Sequence, residues 1–93
     1  LFETIPTALE RGMGVIAKRP IGNAVWRWGS IDECPAYPKP YWQRMQTLAF
    51  PELATNTDPV AVALSFTRSA GVHTMIVGAS GVGRIRSNVA TLE

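Results

Sequence analysis

The part of the sequence that most constrains the fold is an apolar run, a glycine-containing loop and a helix at the carboxyl end. Residues 73–77 have the composition of a buried parallel strand, and residues 84–92 have the apolar spacing of a helix. The loop between them contains Gly78, Gly81 and Gly83. A strand that passes through a short loop into a helix is typical of folds that alternate β and α elements.

The last helix has an unusual charge pattern. Residues 81–87 contain no acid and two arginines, Arg84 and Arg86, and the charge at the other end is Glu93. Both arrangements oppose the helix dipole, which favours acids at the start and bases at the end. The first turn of a helix has unpaired N–H groups that attract anions. A phosphate bound at this helix start would explain the pattern.

Composition narrows the class of protein. A chain of 93 residues forms at most one domain, and a net charge of +2 is too small to indicate nucleic acid or a membrane as partner. The apolar runs are too short to span a bilayer. The single cysteine, Cys34, excludes an internal disulfide and favours a reducing, cytoplasmic location. No secretory signal or initiating methionine opens the chain, so we expect a fragment of a longer protein.

Spacing and capping signals predict four helices and two strands. The predicted helices cover residues 2–11, 40–48, 60–70 and 84–92, and the predicted strands cover residues 14–17 and 74–77. Asp58 caps the third helix, with Pro59 at its first position. In the last helix Ile85, Val89 and Leu92 form the expected core stripe.

This order of elements predicts an α/β fold with a parallel sheet in a single unit. Residues 1–28 and 58–93 carry the regular elements, and residues 29–57 form a long insert with one short helix. The aromatic residues of the insert either fill a small core beneath it or contact a ligand. Two strands that are apolar on both faces leave two open edges, so the sheet requires either further chain or other copies to be complete.

The remaining polar residues do not form a catalytic set. Lys18 and Arg19 follow the first strand and either extend into water or hold an anion. His73 lies at the start of a strand, away from the end where ligands bind in parallel folds, so we expect a structural role. Asp32 and Glu33 are expected to be solvated. The sequence therefore predicts no catalytic residue and no metal site.

Three motifs in order resemble the aldo-keto reductases. Residues 74–80, Thr-Met-Ile-Val-Gly-Ala-Ser, are similar to the last strand and loop of that family, and Arg84, Asn88 and Leu92 follow at the spacing of its last helix. Residues 14–21, Gly-Val-Ile-Ala-Lys-Arg-Pro-Ile, are similar to its seventh strand. Residues 58–71 resemble its penultimate helix. The resemblance covers nearly the whole chain except the insert.

The resemblance implies the last quarter of a (β/α)8 barrel, completed by missing N-terminal residues or by oligomerisation. In the full-length enzyme, hydride would pass from NADPH or NADH to an aldehyde or ketone. The catalytic Asp, Tyr, Lys and His of the family lie on strands two to four, outside this chain, so the fragment alone would be inactive. The cofactor-binding residues expected here are Lys18, Arg19, Pro20, Ile21, Gly22, Gly78, Ala79, Ser80, Arg84 and Asn88.

The resemblance also assigns roles within that set. The loop residues from Gly78 to Ser80 would approach the cofactor phosphates, Arg84 would face the adenosine phosphate, and Asn88 would face the adenine. Pro20, Ile21 and Gly22 would line the pyrophosphate or nicotinamide side. Two positions depart from the family: Lys18 replaces the aromatic ring that often stacks on the nicotinamide, and Gly78 replaces a lysine found in many members.

An alternative interpretation is a non-catalytic module that assembles with itself. Exposed sheet edges would then pair between copies, and the protein would be a homo-oligomer. A small phosphate-binding α/β domain unrelated to the reductases is a third interpretation.

Overall fold

The structure is a computed structural model that describes residues 3–48 and 58–93. These residues form a small, mostly helical α/β fold with two parallel strands in an open sheet. In chain order the elements are α1 (Thr4–Glu10), β1 (Ile16–Lys18), a 3-10 segment (Gly22–Arg27), α2 (Lys39–Leu48), α3 (Pro59–Ser69), β2 (Thr74–Ile76) and α4 (Val82–Leu92). The α/β class and the parallel sheet are confirmed.

The sheet is shorter than the sequence predicted. Ile16, Ala17 and Lys18 of β1 pair with Thr74, Met75 and Ile76 of β2, respectively. β1 therefore starts two residues later than expected and includes Lys18. One cause is His73, whose Nδ1 accepts a hydrogen bond of 2.9 Å from the Val15 amide in place of a strand carbonyl.

The expectation that both faces of the sheet are covered is wrong for one face. Ala17 and Met75 are half-buried, whereas Ile16 is 64% exposed and Ile76 is 61% exposed. Side chains alternate between the two faces of a strand, so both isoleucines lie on the same, open face. Among the described residues, nothing covers this face of the sheet.

The third helix forms as its capping residues predict. The Asp58 carboxylate accepts a hydrogen bond of 3.1 Å from the Ala61 amide, and Pro59 is the first helical residue. Leu64 is fully buried, and α3 packs against α4. The Arg68 guanidinium donates a hydrogen bond of 2.7 Å to the Leu92 carbonyl. This arginine supplies the positive charge that the sequence of α4 lacks at its end.

The start and the buried face of α4 differ from the prediction. The helix begins at Val82 rather than Arg84, with Gly81 as its cap. Ile85 and Val89, predicted to be core residues, are both 52% exposed, while Asn88 is only 8% exposed. The face of α4 that is buried therefore contains Asn88. Of the predicted core stripe, Ile85 and Val89 are exposed and only Leu92 is half-buried.

The 3-10 segment replaces a predicted loop. Asn23 (φ 61°) and Ala24 (φ 52°) lie in the left-handed region, which kinks the segment, and Arg19 just before it has φ 55°. The left-handed region costs about 1–2 kcal/mol for a residue with a side chain. The Trp42 indole holds the segment against α2 by donating a hydrogen bond of 2.9 Å to the Trp28 carbonyl.

The first helix is shorter than the predicted range of residues 2–11, and Phe2 lies outside the described residues. The residue that caps this helix, Glu3, accepts no hydrogen bond from it through its side chain. Gly12, with φ 69°, follows the end of the helix as expected. Part of the predicted insert, residues 49–57, also lies outside the description. Within the described residues, no helix combines the length and hydropathy that crossing a membrane requires.

Candidate functional site

A cavity between described elements lies where the β2–α4 loop faces the 3-10 segment. Its volume is about 670 Å³, and we call it the loop cleft. Six of the ten predicted cofactor-binding residues line it: Ile21, Gly78, Ala79, Ser80, Arg84 and Asn88. The rest of its wall is formed by Asn23, Ala24, Trp26, Arg27, Trp28, Pro35, Tyr37, Pro38 and Val60. The cleft thus joins residues separated by more than fifty positions in the sequence.

The glycines of the β2–α4 loop leave open space at the cleft. A Cβ atom added to Gly78 or Gly81 would meet no heavy atom of the described structure within 4 Å. Neither residue has a positive φ, so the backbone conformation does not require glycine. The absence of side chains instead leaves the backbone accessible to a bound group.

The start of α4 has the properties of an anion site. Gly81 caps the helix in an extended conformation, no side chain caps the first turn, and that turn contains no acid. The N–H groups of Val82 and Gly83 therefore have no helical partner. They add to the positive end of the helix dipole beside the cleft.

Two arginines increase the positive charge around the cleft. Arg84 and Arg27 line it, and no Asp or Glu is among its described lining residues. The Arg27 guanidinium lies 4.3 Å from the centroid of the Trp28 ring, a cation–π distance that fixes the position of both side chains. Within the described residues, neither arginine is in an ion pair. Both guanidinium groups are therefore available to an anionic ligand.

Two amide side chains of the cleft have buried atoms that form no hydrogen bond within the described structure. They are Asn88 Oδ1, an acceptor, and Asn23 Nδ2, a donor. Leaving such a group unpaired costs about 1–3 kcal/mol, so a partner outside the described protein atoms is expected. Both atoms have almost no accessible surface, so a ligand in the cleft would reach them only after these side chains turned toward it. The sequence analysis missed Asn23, although asparagine next to glycine is a known signal for left-handed backbone.

The aromatic residues of the insert have two different roles. Trp42 is a structural residue, because its indole N–H is bonded to the Trp28 carbonyl. Tyr37 of the insert, and Trp28 just before the insert, line the loop cleft instead. The structural interpretation is thus confirmed for Trp42, while contact of the other rings with a ligand stays a prediction.

Four of the predicted site residues lie outside the loop cleft. Pro20 and Gly22 line a separate apolar cavity, and Lys18 is exposed at the end of β1. Arg19 Nη1 donates a hydrogen bond of 3.0 Å to the Tyr41 hydroxyl, and its guanidinium lies 5.4 Å from the Tyr37 ring centroid. The bond to Tyr41, and secondarily the charge interaction with Tyr37, raises the pKa of Arg19 above its ordinary value. Arg19 thus contacts the tyrosines of the insert.

The other titratable candidates are not at the cleft. His73 bonds to the Val15 amide at the start of β1, which agrees with the structural role expected for it. Cys34 is a free thiol, 3% exposed. In the parts of the chain that the structure describes, no cluster of three His, Cys, Asp or Glu side chains could hold a metal ion.

Comparison with known proteins identifies no relative of the chain. No protein-family model matches it, and no curated protein or solved structure matches it significantly.

Proposed function

We propose that the loop cleft binds the adenosine-phosphate end of NADPH or NADH. The observation that carries the proposal is the convergence of an acid-free helix start, Arg84 and the unpartnered Asn88 Oδ1 on one cavity. A ligand with a phosphate at one end and a purine at the other satisfies all three. The motif resemblance to the aldo-keto reductases supports the same ligand independently of the geometry.

Each group of the cleft has a distinct role in this proposal. The backbone of the β2–α4 loop and the first amides of α4 receive a phosphate, as helix starts do in many nucleotide sites. Arg84 pairs with the phosphate of the adenosine ribose through two parallel hydrogen bonds. Asn88 Oδ1 accepts a hydrogen bond from the adenine amino group. These contacts bind and orient a cofactor but transfer no hydride.

The proposed whole enzyme is a (β/α)8 aldo-keto reductase of which this chain is the C-terminal part. In that barrel β1 and β2 would be strands seven and eight, which carry the usual phosphate site of such folds. The exposed face with Ile16 and Ile76 would turn toward the barrel interior. The catalytic residues would come from other strands, so the chain studied by itself binds cofactor without reducing a carbonyl.

Titration of the protein with NADPH, followed by tryptophan fluorescence, tests the proposal. Arg84→Gln is expected to weaken binding about tenfold or more, because a charge-assisted contact contributes about 1.5–3 kcal/mol. Arg86→Gln is the matched control, since Arg86 makes the same charge change on the same helix but does not line the cleft. Adenosine 2′,5′-bisphosphate should compete, and nicotinamide mononucleotide should not. An equal loss of affinity for NADPH in both variants would contradict the proposal.

A second candidate function is self-assembly through the sheet. The supporting observation is the open face of the sheet, where Ile16 and Ile76 are both more than 60% exposed. Ile76→Asp should then shift the sedimentation coefficient to that of a monomer. Val89→Asp is the control, because Val89 is an exposed apolar residue of α4 rather than of the sheet. A compact monomer of the unaltered protein at high concentration would rule out this candidate.

A further inference from the structure

A second cavity, of about 450 Å³, lies between α2, the 3-10 segment and α3. Its volume is within the range of small-molecule sites. The walls are mainly apolar: Val25, Trp26, Met45, Val62, Ala63 and Phe66. We call it the apolar cavity. It shares Ile21 and Trp26 with the loop cleft but none of the residues to which we assign phosphate or adenine.

The polar side chains that line the apolar cavity both offer hydrogen-bond donors. Arg44 is the one charged residue among its described lining residues, and Tyr41 is its one hydroxyl. The Arg44 guanidinium lies 5.8 Å from the Tyr41 ring centroid. The Tyr41 hydroxyl already accepts a hydrogen bond from Arg19, so its own hydrogen remains available to donate.

This arrangement selects for an anionic head group. Both polar groups are donors, and within the described residues no carboxylate pairs with Arg44. A guanidinium fork matches the two oxygens of a carboxylate. A phosphate would require more donors than this cavity offers, and a neutral apolar ligand would leave the guanidinium unused.

We infer that the apolar cavity binds an amphipathic monocarboxylate, such as a medium-chain fatty acid. The hydrocarbon tail lies between the 3-10 segment and α3, where it contacts Trp26, Val62 and Phe66. The carboxylate is bound by the Arg44 guanidinium and the Tyr41 hydroxyl. This site shares the Ile21 and Trp26 walls with the loop cleft, but the groups proposed to bind the carboxylate do not line that cleft.

Titration with decanoate, followed by tryptophan fluorescence, tests this inference because Trp26 lines the cavity. Decanoate should bind more tightly than decanol, which has the same tail without the charge. Arg44→Gln should weaken the binding of decanoate about tenfold and leave the binding of decanol unchanged. Tyr41→Phe should weaken decanoate by a smaller factor. Arg86→Gln serves again as the control for loss of one positive charge.

Further outcomes distinguish this site from a general apolar surface and from the loop cleft. Ala63→Phe fills the cavity and should abolish binding of both decanoate and decanol, while circular dichroism confirms that the variant is folded. Saturating NADPH should leave decanoate binding unchanged. Equal affinities of decanoate and decanol, an equal effect of Arg44→Gln and Arg86→Gln, or no binding at all would overturn the inference. Apart from the experiment with NADPH itself, none of these results depends on whether NADPH binds.

Discussion

Replacing Asn88 by leucine should make the unliganded protein more stable. Asn88 is 8% exposed, and its Oδ1 has no hydrogen-bond partner. An unpaired buried polar group costs about 1–3 kcal/mol, and leucine has the same branching without the polar atoms. We therefore expect the free energy of unfolding to rise by about 1–2 kcal/mol. For a chain of 93 residues, each kcal/mol corresponds to a rise of about 4–8 °C in Tm.

The same substitution should weaken NADPH binding, because it removes the acceptor proposed for the adenine amino group. Stability is measured by urea unfolding followed by circular dichroism, and affinity by fluorescence titration. Ser87→Leu is the control: Ser87 is exposed on the same helix, so its replacement reports the gain in helix propensity, a few tenths of a kcal/mol. If Asn88→Leu lowers the free energy of unfolding while Ser87→Leu does not, the amide is satisfied in solution and the reasoning is wrong.

Three further substitutions test other parts of the structure. Gly78→Ala should change the free energy of unfolding by less than about 1 kcal/mol, because its Cβ would occupy open space, but should weaken NADPH binding measured by titration. Gly71→Ala should lower the free energy of unfolding in urea by about 1–2 kcal/mol, because φ at this position is +86° and the new Cβ would lie 3.4 Å from Leu9 Cδ1. An unchanged midpoint of urea unfolding would contradict this backbone geometry. Arg68→Met removes the cation at the end of α4 and should lower the free energy of unfolding by about 0.3–1 kcal/mol. If the free energy of unfolding falls by the same amount at high salt, the interaction is not one with the helix dipole.

The elements that the sequence predicts well have local causes. Helix α2 was expected to begin at residue 40 and begins at Lys39, because proline is favoured in a first turn. The start of α3 is set by Asp58 and Pro59, whose roles follow from residue type alone. Near the cleft, the strand, the loop and the acid-free helix start form in the predicted order, while the anion site itself stays a prediction. In these cases, residues next to each other in the sequence determine where the element begins.

The elements that the sequence predicts poorly depend on distant residues. The spacing of Ile85 and Val89 indicates that one face of α4 is apolar, but it does not say which other element covers that face. Packing on α3 buries the Asn88 face instead. The kink at Asn23 and Ala24 was not predicted. Asparagine tolerates a positive φ, but alanine rarely adopts one, so only the surrounding fold can impose it at Ala24.

The loop cleft and the uncovered apolar surfaces differ in whether they need a second copy or further chain to be complete. The cleft is formed by the β2–α4 loop, α4 and the 3-10 segment, which lie together within one copy. The sheet face with Ile16 and Ile76 instead requires a partner or further chain to be covered. Cofactor affinity should therefore be independent of protein concentration even if the protein assembles. An affinity that increases with protein concentration would mean that a second copy completes the cleft, and the two proposed functions would then be one.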